Sequence, residues 1–139
     1  MSGYLLDTNI VSEVRKPRPH GGVVAWLAGA DRTALYVSAV TLAELQHGAE
    51  ITRRQDSAKA LEIEAWIDGV ARSFRILPMD GPCFREWARI MTSKSNTLSS
   101  DAMIAATARV HDLTVVTRNV RDFEPFGVRV LNPFESNPH

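Results

Sequence analysis

The sequence predicts an α/β domain of three layers, with a mostly parallel central sheet flanked by helices, spanning residues 1–139 as one unit. Two observations carry that expectation. Short apolar runs such as Tyr4-Leu5-Leu6 and Leu113-Thr114-Val115-Val116-Thr117 alternate with segments of helical apolar spacing. The runs are apolar on both alternating sets of positions, as strands covered on both faces must be. Composition agrees, with 139 residues, 45% apolar and 23% charged. A chain of this size buries roughly 68% of its unfolded surface, which supports one core without disulfides.

The elements follow in order. Tyr4–Leu6 reads as a strand ended by the polar turn Asp7-Thr8-Asn9. Residues 10–15 read as a short helix, stopped by Lys16-Pro17-Arg18-Pro19, and residues 23–28 as a second. Residues 36–40 predict a strand, and Thr41 opens a helix to about Thr52. After the polar break Arg53–Ser57, Ile63, Trp66, Ile67, Val70 and Phe74 recur at helical spacing. Arg75–Pro78 reads as a strand. Gly81-Pro82 precedes a helix on which Phe84, Trp87, Ala88 and Met91 share a stripe. Ser93–Ser100 reads as a polar loop whose last two serines cap a helix opened by Asp101 and running to about His111. Leu113–Thr117 is the clearest strand. Asn119–Phe123 reads as a turn or single helical turn, and Val128–Leu131 as a final strand.

Other classes are excluded. Sixteen basic and sixteen acidic side chains give zero formal net charge, against a purely electrostatic coat for nucleic acid. The single cysteine, Cys83, builds neither a disulfide framework nor a cysteine zinc site and reads as a small packing residue. There is no secretory leader and no run of 18 apolar residues, so a soluble cytoplasmic protein without membrane contact is expected. Neither a Walker-type glycine loop nor a G-x-G-x-x-G turn follows the first strand, against nucleotide-hydrolysing and dinucleotide enzymes.

In open parallel sheets, function sits beyond the carboxyl ends of the strands. Three acids stand there. Asp7 follows the first strand, Glu44 lies in the first turn after the second, and Asp101 starts the helix after the long loop. Asn119 and Asp122 follow the strand Leu113–Thr117. Ile104, Ala105 and Ala108 share the Asp101 face, which places Asp101 at the end of an inward stripe. Gly48, one turn after Glu44, costs about 1 kcal/mol relative to Ala inside a helix, and a close helix contact would explain it. Carboxylates gathered without cations repel, and a divalent ion between them keeps them ionised. Oxygen ligands suit Mg²⁺ or Mn²⁺, and a water so activated attacks phosphodiesters. Each acid also has a local role: Asp7 as a turn residue, Glu44 in a capping box with Thr41, Asp101 at a positive helix end. Arg15, Lys16 and Arg18 after the first turn, and Arg118 and Arg121 around Asn119, are expected to border the acids and hold a nucleic-acid backbone. Trp66 and Trp87 read as core or interface residues, and His47 as a surface residue.

Four stretches together carry a resemblance. Leu5-Leu6-Asp7-Thr8-Asn9, Ser38–Leu45 with Gly48, Asp101–Ala108 and Thr117–Phe123 resemble, in order and spacing, the four motifs of PIN-domain proteins. Within that family the chain is similar to the VapC toxin ribonucleases, and Asn132-Pro133-Phe134 is similar to their FitB-like branch. The resemblance implies a PIN fold and the toxin of a type II toxin–antitoxin system: a Mg²⁺- or Mn²⁺-dependent endoribonuclease that cleaves RNA. It implies Asp7 and Asp101 as direct metal ligands and Glu44 acting through a water. The fourth acidic position of the family is held here by Asn119, with Asp122 as a nearby substitute. It further implies a VapB-like antitoxin placing an Arg or Lys among the acids, a homodimer within a larger complex, and operator DNA reached only through the antitoxin. Two alternatives remain: a catalytically silent PIN-fold binding module acting through antitoxin and DNA, and a metal-dependent phosphatase or DNA nuclease on a related sheet.

Overall fold

Five short strands pair into one sheet in the order β3-β2-β1-β4-β5. The structure, a computed structural model, describes residues 3–92 and 99–135. The strands are β1 Tyr4–Leu6, β2 Leu35–Ser38, β3 Arg75–Leu77, β4 Thr114–Val116 and β5 Val130–Leu131. Among the described residues every strand pairing is parallel, so the expected mostly parallel sheet is parallel throughout. The helices are α1 Thr8–Glu13, α2 Gly21–Gly29, α3 Ala39–Arg53, α4 Ser57–Ser73, α5 Gly81–Met91, α6 Ser99–His111 and α7 Val120–Phe123.

The chain steps outward from β1 to β3, then returns across the sheet to β4 on the other side of β1. The strand order therefore reverses between β1 and β4, the place where open α/β sheets leave a crevice. Leu6 pairs with Val116 in register. Residues 7 and 117 thus leave the sheet side by side.

Strand alternation sorts the core into two halves. Leu5 and Val115 pack with Ile104, Ala105 and Ala108 of α6, Ile90 of α5, and Phe123 and Phe126. Leu6, Val37 and Val116 pack on the opposite face with Ile10, Val23, Leu45, Ile67 and Val70 of α1–α4. The alanine-rich stripe of α6 is fully buried, as its spacing predicts. On α5 the buried positions are Cys83 and Ile90, with Trp87 and Met91 partly covered, while Phe84 remains 45% exposed. Cys83 is thus a packing residue, as expected. Asp7, His20, Ser38, Asp56 and Asp80 cap helices α1 to α5, each through a side chain that accepts a backbone N–H.

Several boundaries move, for local reasons. Ser38 accepts the Val40 N–H at 3.0 Å, so α3 starts at Ala39 and Thr41 is a buried residue within it. The expected Thr41–Glu44 capping box does not form, and Glu44 falls in the second turn. A Cβ built on Gly48 meets nothing within 4 Å, so no close helix contact accounts for that glycine. Among the described residues α6 runs from Ser99, so Ser99 and Ser100 lie inside it and Asp101 does not open it. The first six residues of the expected polar loop, 93–98, lie outside the described residues.

Gly3 and Gly48 make opposite predictions. A Cβ on buried Gly3 stands 2.8 Å from the Ala34 carbonyl oxygen and 2.8 Å from the Tyr36 ring. Gly3→Ala therefore costs about 1–3 kcal/mol through overpacking. Gly48→Ala gains up to about 1 kcal/mol from helix propensity. Paired urea melts check both signs.

Candidate active site

Asp7 sits one residue past β1, and its N–H donates to the Val116 carbonyl at 2.9 Å, extending the ladder by one step. Its carboxylate is buried, with 4% of the residue exposed. Oδ1 accepts the Thr8 N–H at 2.8 Å, which starts α1. Oδ2 accepts the Thr117 hydroxyl at 2.8 Å and the Asn9 amide at 3.2 Å. The turn role and the site role expected for Asp7 therefore coexist in one side chain. Burial raises its pKa, and the bonds from Thr117 and Thr8 work against that rise.

Thr8 ties a second acid to the first. Its hydroxyl donates to Glu44 Oε1 at 2.6 Å and lies 3.0 Å from the buried Thr41 hydroxyl. Glu44 is itself exposed, so it stands at the mouth of the site. The second-turn position that α3 gives it brings it to Thr8.

Asp101 approaches from α6 and Asp122 from α7. Asp101 is half-buried, and its pKa is raised to about 6, first by burial and then by Asp7, Asp122 and Glu44. Asp7 is raised in turn by Glu44 and Asp122. The fold thus brings four of the five expected positions, Asp7, Glu44, Asp101 and Asp122, into one field. Asn119 is exposed. Its N–H donates to the Thr117 hydroxyl at 2.9 Å, and its side chain makes no cap bond to α7. Asp122 adds negative charge beside Asp101.

All the donors are oxygens, which suits a hard ion. None of these four carboxylates is in an ion pair among the described residues, whose bridges involve other acids. No three His, Cys, Asp or Glu side chains close into a cage among the described residues. An ion that keeps several waters and takes one or two carboxylates fits that openness.

The basic residues divide. Arg118 and Arg121 line a groove of about 530 Å³ together with Asn119 and Asp122, and of the four acids Asp122 is the one that lines it. Lys16 instead pairs with buried Glu13 at 2.9 Å, and Arg15 lies over Trp66 at 5.7 Å. The expectation that both of these border the acids is corrected: they brace α1 and its exit. Sequence reasoning missed Thr8, Thr41, Thr117 and Asn9 as positioning groups. The available signal was their placement, small polar residues directly after or at the end of strands, but threonine there is as common for β propensity.

Comparison with known proteins follows the same outline. The PIN domain family model matches residues 4–126. Toxin FitB from Neisseria gonorrhoeae is 38% identical over 136 residues, covering 94% of this chain and 97% of that protein. VapC ribonuclease Y4jK from Sinorhizobium fredii is 37% identical over 139 residues, with 94% and 97% covered. The crystal structure of FitAcB from N. gonorrhoeae superposes with a TM-score of 0.84 at 36% identity, over 96% of this chain and 99% of that one.

The raised pKa of Asp101 sets a pH dependence. Without metal, the folded chain holds the Asp101 proton up to about pH 6, whereas the unfolded chain releases it near pH 3.8. Ionised Asp101 therefore opposes folding above pH 6, and the penalty fades as pH falls towards 4. In EDTA, Asp101→Asn is expected to be more stable than the native chain at pH 7.5 by about 1 kcal/mol, after screening of a half-exposed group. The gain disappears near pH 4. Thermal melts across that range read it directly, and added Mg²⁺ should stabilise only the native chain.

Proposed function

The chain belongs to the PIN-domain family, and we propose that it is the toxin of a type II toxin–antitoxin pair, an endoribonuclease held inactive by a cognate antitoxin. One observation carries this reading. Asp7, Glu44, Asp101 and Asp122, from four separate elements, lie within electrostatic reach of one another beyond the carboxyl ends of β1 and β4, and among the described residues none of the four is in an ion pair. A fold that gained only stability there would pair or remove such charges. The names toxin FitB and VapC ribonuclease, carried by relatives matched over nearly their full length, support the same activity.

Asp7 and Asp101 would hold Mg²⁺ or Mn²⁺ directly, with Asp122 close by and Glu44 reaching through a water. Bound there, the ion supplies Lewis-acid stabilisation of charge on the phosphate and lowers the pKa of water. The chain's own residues do the positioning. Thr117 and Thr8 fix the Asp7 carboxylate at both oxygens. Thr8 holds Glu44 Oε1, leaving Oε2 to orient and deprotonate the water that attacks the phosphodiester in line. The exposed Asn119 side chain offers an amide donor for a water or a phosphate oxygen.

The antitoxin inhibits by setting an Arg or Lys among the acids, satisfying the charge that the ion would otherwise meet. The toxin forms a homodimer, and operator DNA is reached through the antitoxin.

Purified, antitoxin-free protein should cut a pool of single-stranded and transfer RNA with Mg²⁺ or Mn²⁺ and not with EDTA. Asp7→Asn and Asp101→Asn should each lose about 100-fold or more in rate while keeping a cooperative fold. Wild-type rates in both variants would disprove the site. No cutting by folded protein would move the weight to a silent binding module.

A further inference from the structure

The groove beside the acids holds an arginine that is fixed before any substrate arrives. The Arg118 guanidinium lies over the Phe134 ring, 4.8 Å from its centre. Phe134 is backed by the His20 ring, with centres 5.0 Å apart. His20 is held in turn: its ring Nδ1 accepts the Gly22 N–H, and its backbone N–H donates to Glu13 Oε2. Asn132 links the two segments, accepting the Phe134 N–H at 2.9 Å and donating to the Arg118 carbonyl at 3.5 Å. The Arg118 backbone is tied to the catalytic end of the sheet, since its N–H donates to Asn9, whose amide donates to Asp7. Arg118 is therefore located relative to Asp7 at both its backbone and its side chain.

A stacked guanidinium keeps its in-plane N–H groups free for phosphate oxygens. Among the described residues neither Arg118 nor Arg121 is in a salt bridge. Glu124 and Glu135 also line the groove, so it is not a continuous positive track for many phosphates. The arrangement suits one phosphate, next to the acids.

We propose that Arg118, laid on Phe134, grips a single phosphate of the RNA strand beside the scissile bond, and that Phe134 is its positioning residue. This rests on the nuclease reading above. It gives the segment Asn132–Phe134 a positioning role towards Arg118.

The test is binding of a fluorescent single-stranded RNA in EDTA, where cleavage is suppressed, titrated over salt. Arg118→Ala should weaken binding about tenfold at low salt, uniformly across sequences. The slope of log K against log salt should flatten by about 0.7, the value of one phosphate contact on a single strand. Phe134→Leu keeps an apolar plug but loses the cation–π face. It should weaken binding about threefold, and Phe134→Tyr should restore it. With metal present, both losses should fall mainly on KM rather than kcat. Arg72→Ala, on the exposed face of α4, is the control for general charge. An unchanged affinity and slope in Arg118→Ala overturns the proposal. A loss in Arg118→Ala with none in Phe134→Leu overturns the role of Phe134. Wild-type protein that neither binds nor cuts RNA overturns the nuclease reading itself, and the proposal with it.

Discussion

The Thr117 hydroxyl donates to Asp7 Oδ2 across the seam where β1 and β4 run in register. The rest of the site depends on this bond. A carboxylate this buried loses most of its hydration, and the fold returns part of that loss through Thr117, Thr8 and Asn9. It does not return all of it, and the Asp7 pKa stays raised. The deficit is the physical reason to expect a cation there. The same Thr117 oxygen accepts the Asn119 N–H, so the bond that orients Asp7 also sets the path of the chain into α7 and places Asp122.

The second support is the Ser38 cap. By starting α3 at Ala39 it turns Thr41 inward and brings Glu44 onto Thr8. A start two residues later would rotate the helix by about 200°, since each residue turns it by about 100°. Glu44 would then face elsewhere. A single serine hydroxyl, at the end of β2, thus decides which carboxylate joins the site. Glu44 stays exposed while Asp7 is buried. The two carboxylates therefore suit different work, one desolvated and fixed, the other in reach of water.

Around this centre the cationic groups are separated by what they touch. Arg15 and Lys16 are used by Trp66 and Glu13 to hold α1 and its exit. Arg118 and Arg121 remain available in the groove. The charge balance of the whole chain is neutral, and Arg118 and Arg121 are in no ion pair among the described residues. Ion pairs such as Arg53 with Glu50, within α3, and with Glu64 of α4 stay at the surface and contribute little.

The sequence by itself determined the layers, the strand identities and the acids. Periodicity reports which face of each element is buried, and strands covered on both sides are apolar at every position. Asp7, Glu44, Asp101 and Asp122 were legible because acids at strand ends and helix starts stand out from apolar runs. Helix starts were less legible, because Ser38, Thr41, Ser99 and Asp101 are all competent caps and only packing selects among them. The burial of Thr41 and the open space at Gly48 are likewise invisible along the chain. Tertiary structure alone decided that Asp122 acts on Asp7 and Asp101, that Thr8 and Thr117 hold the carboxylates, and that Phe134 lies under Arg118. Those facts join residues up to 110 positions apart. A local pattern carries no information about such pairs, because the sheet order that brings β4 beside β1 is a property of the whole chain.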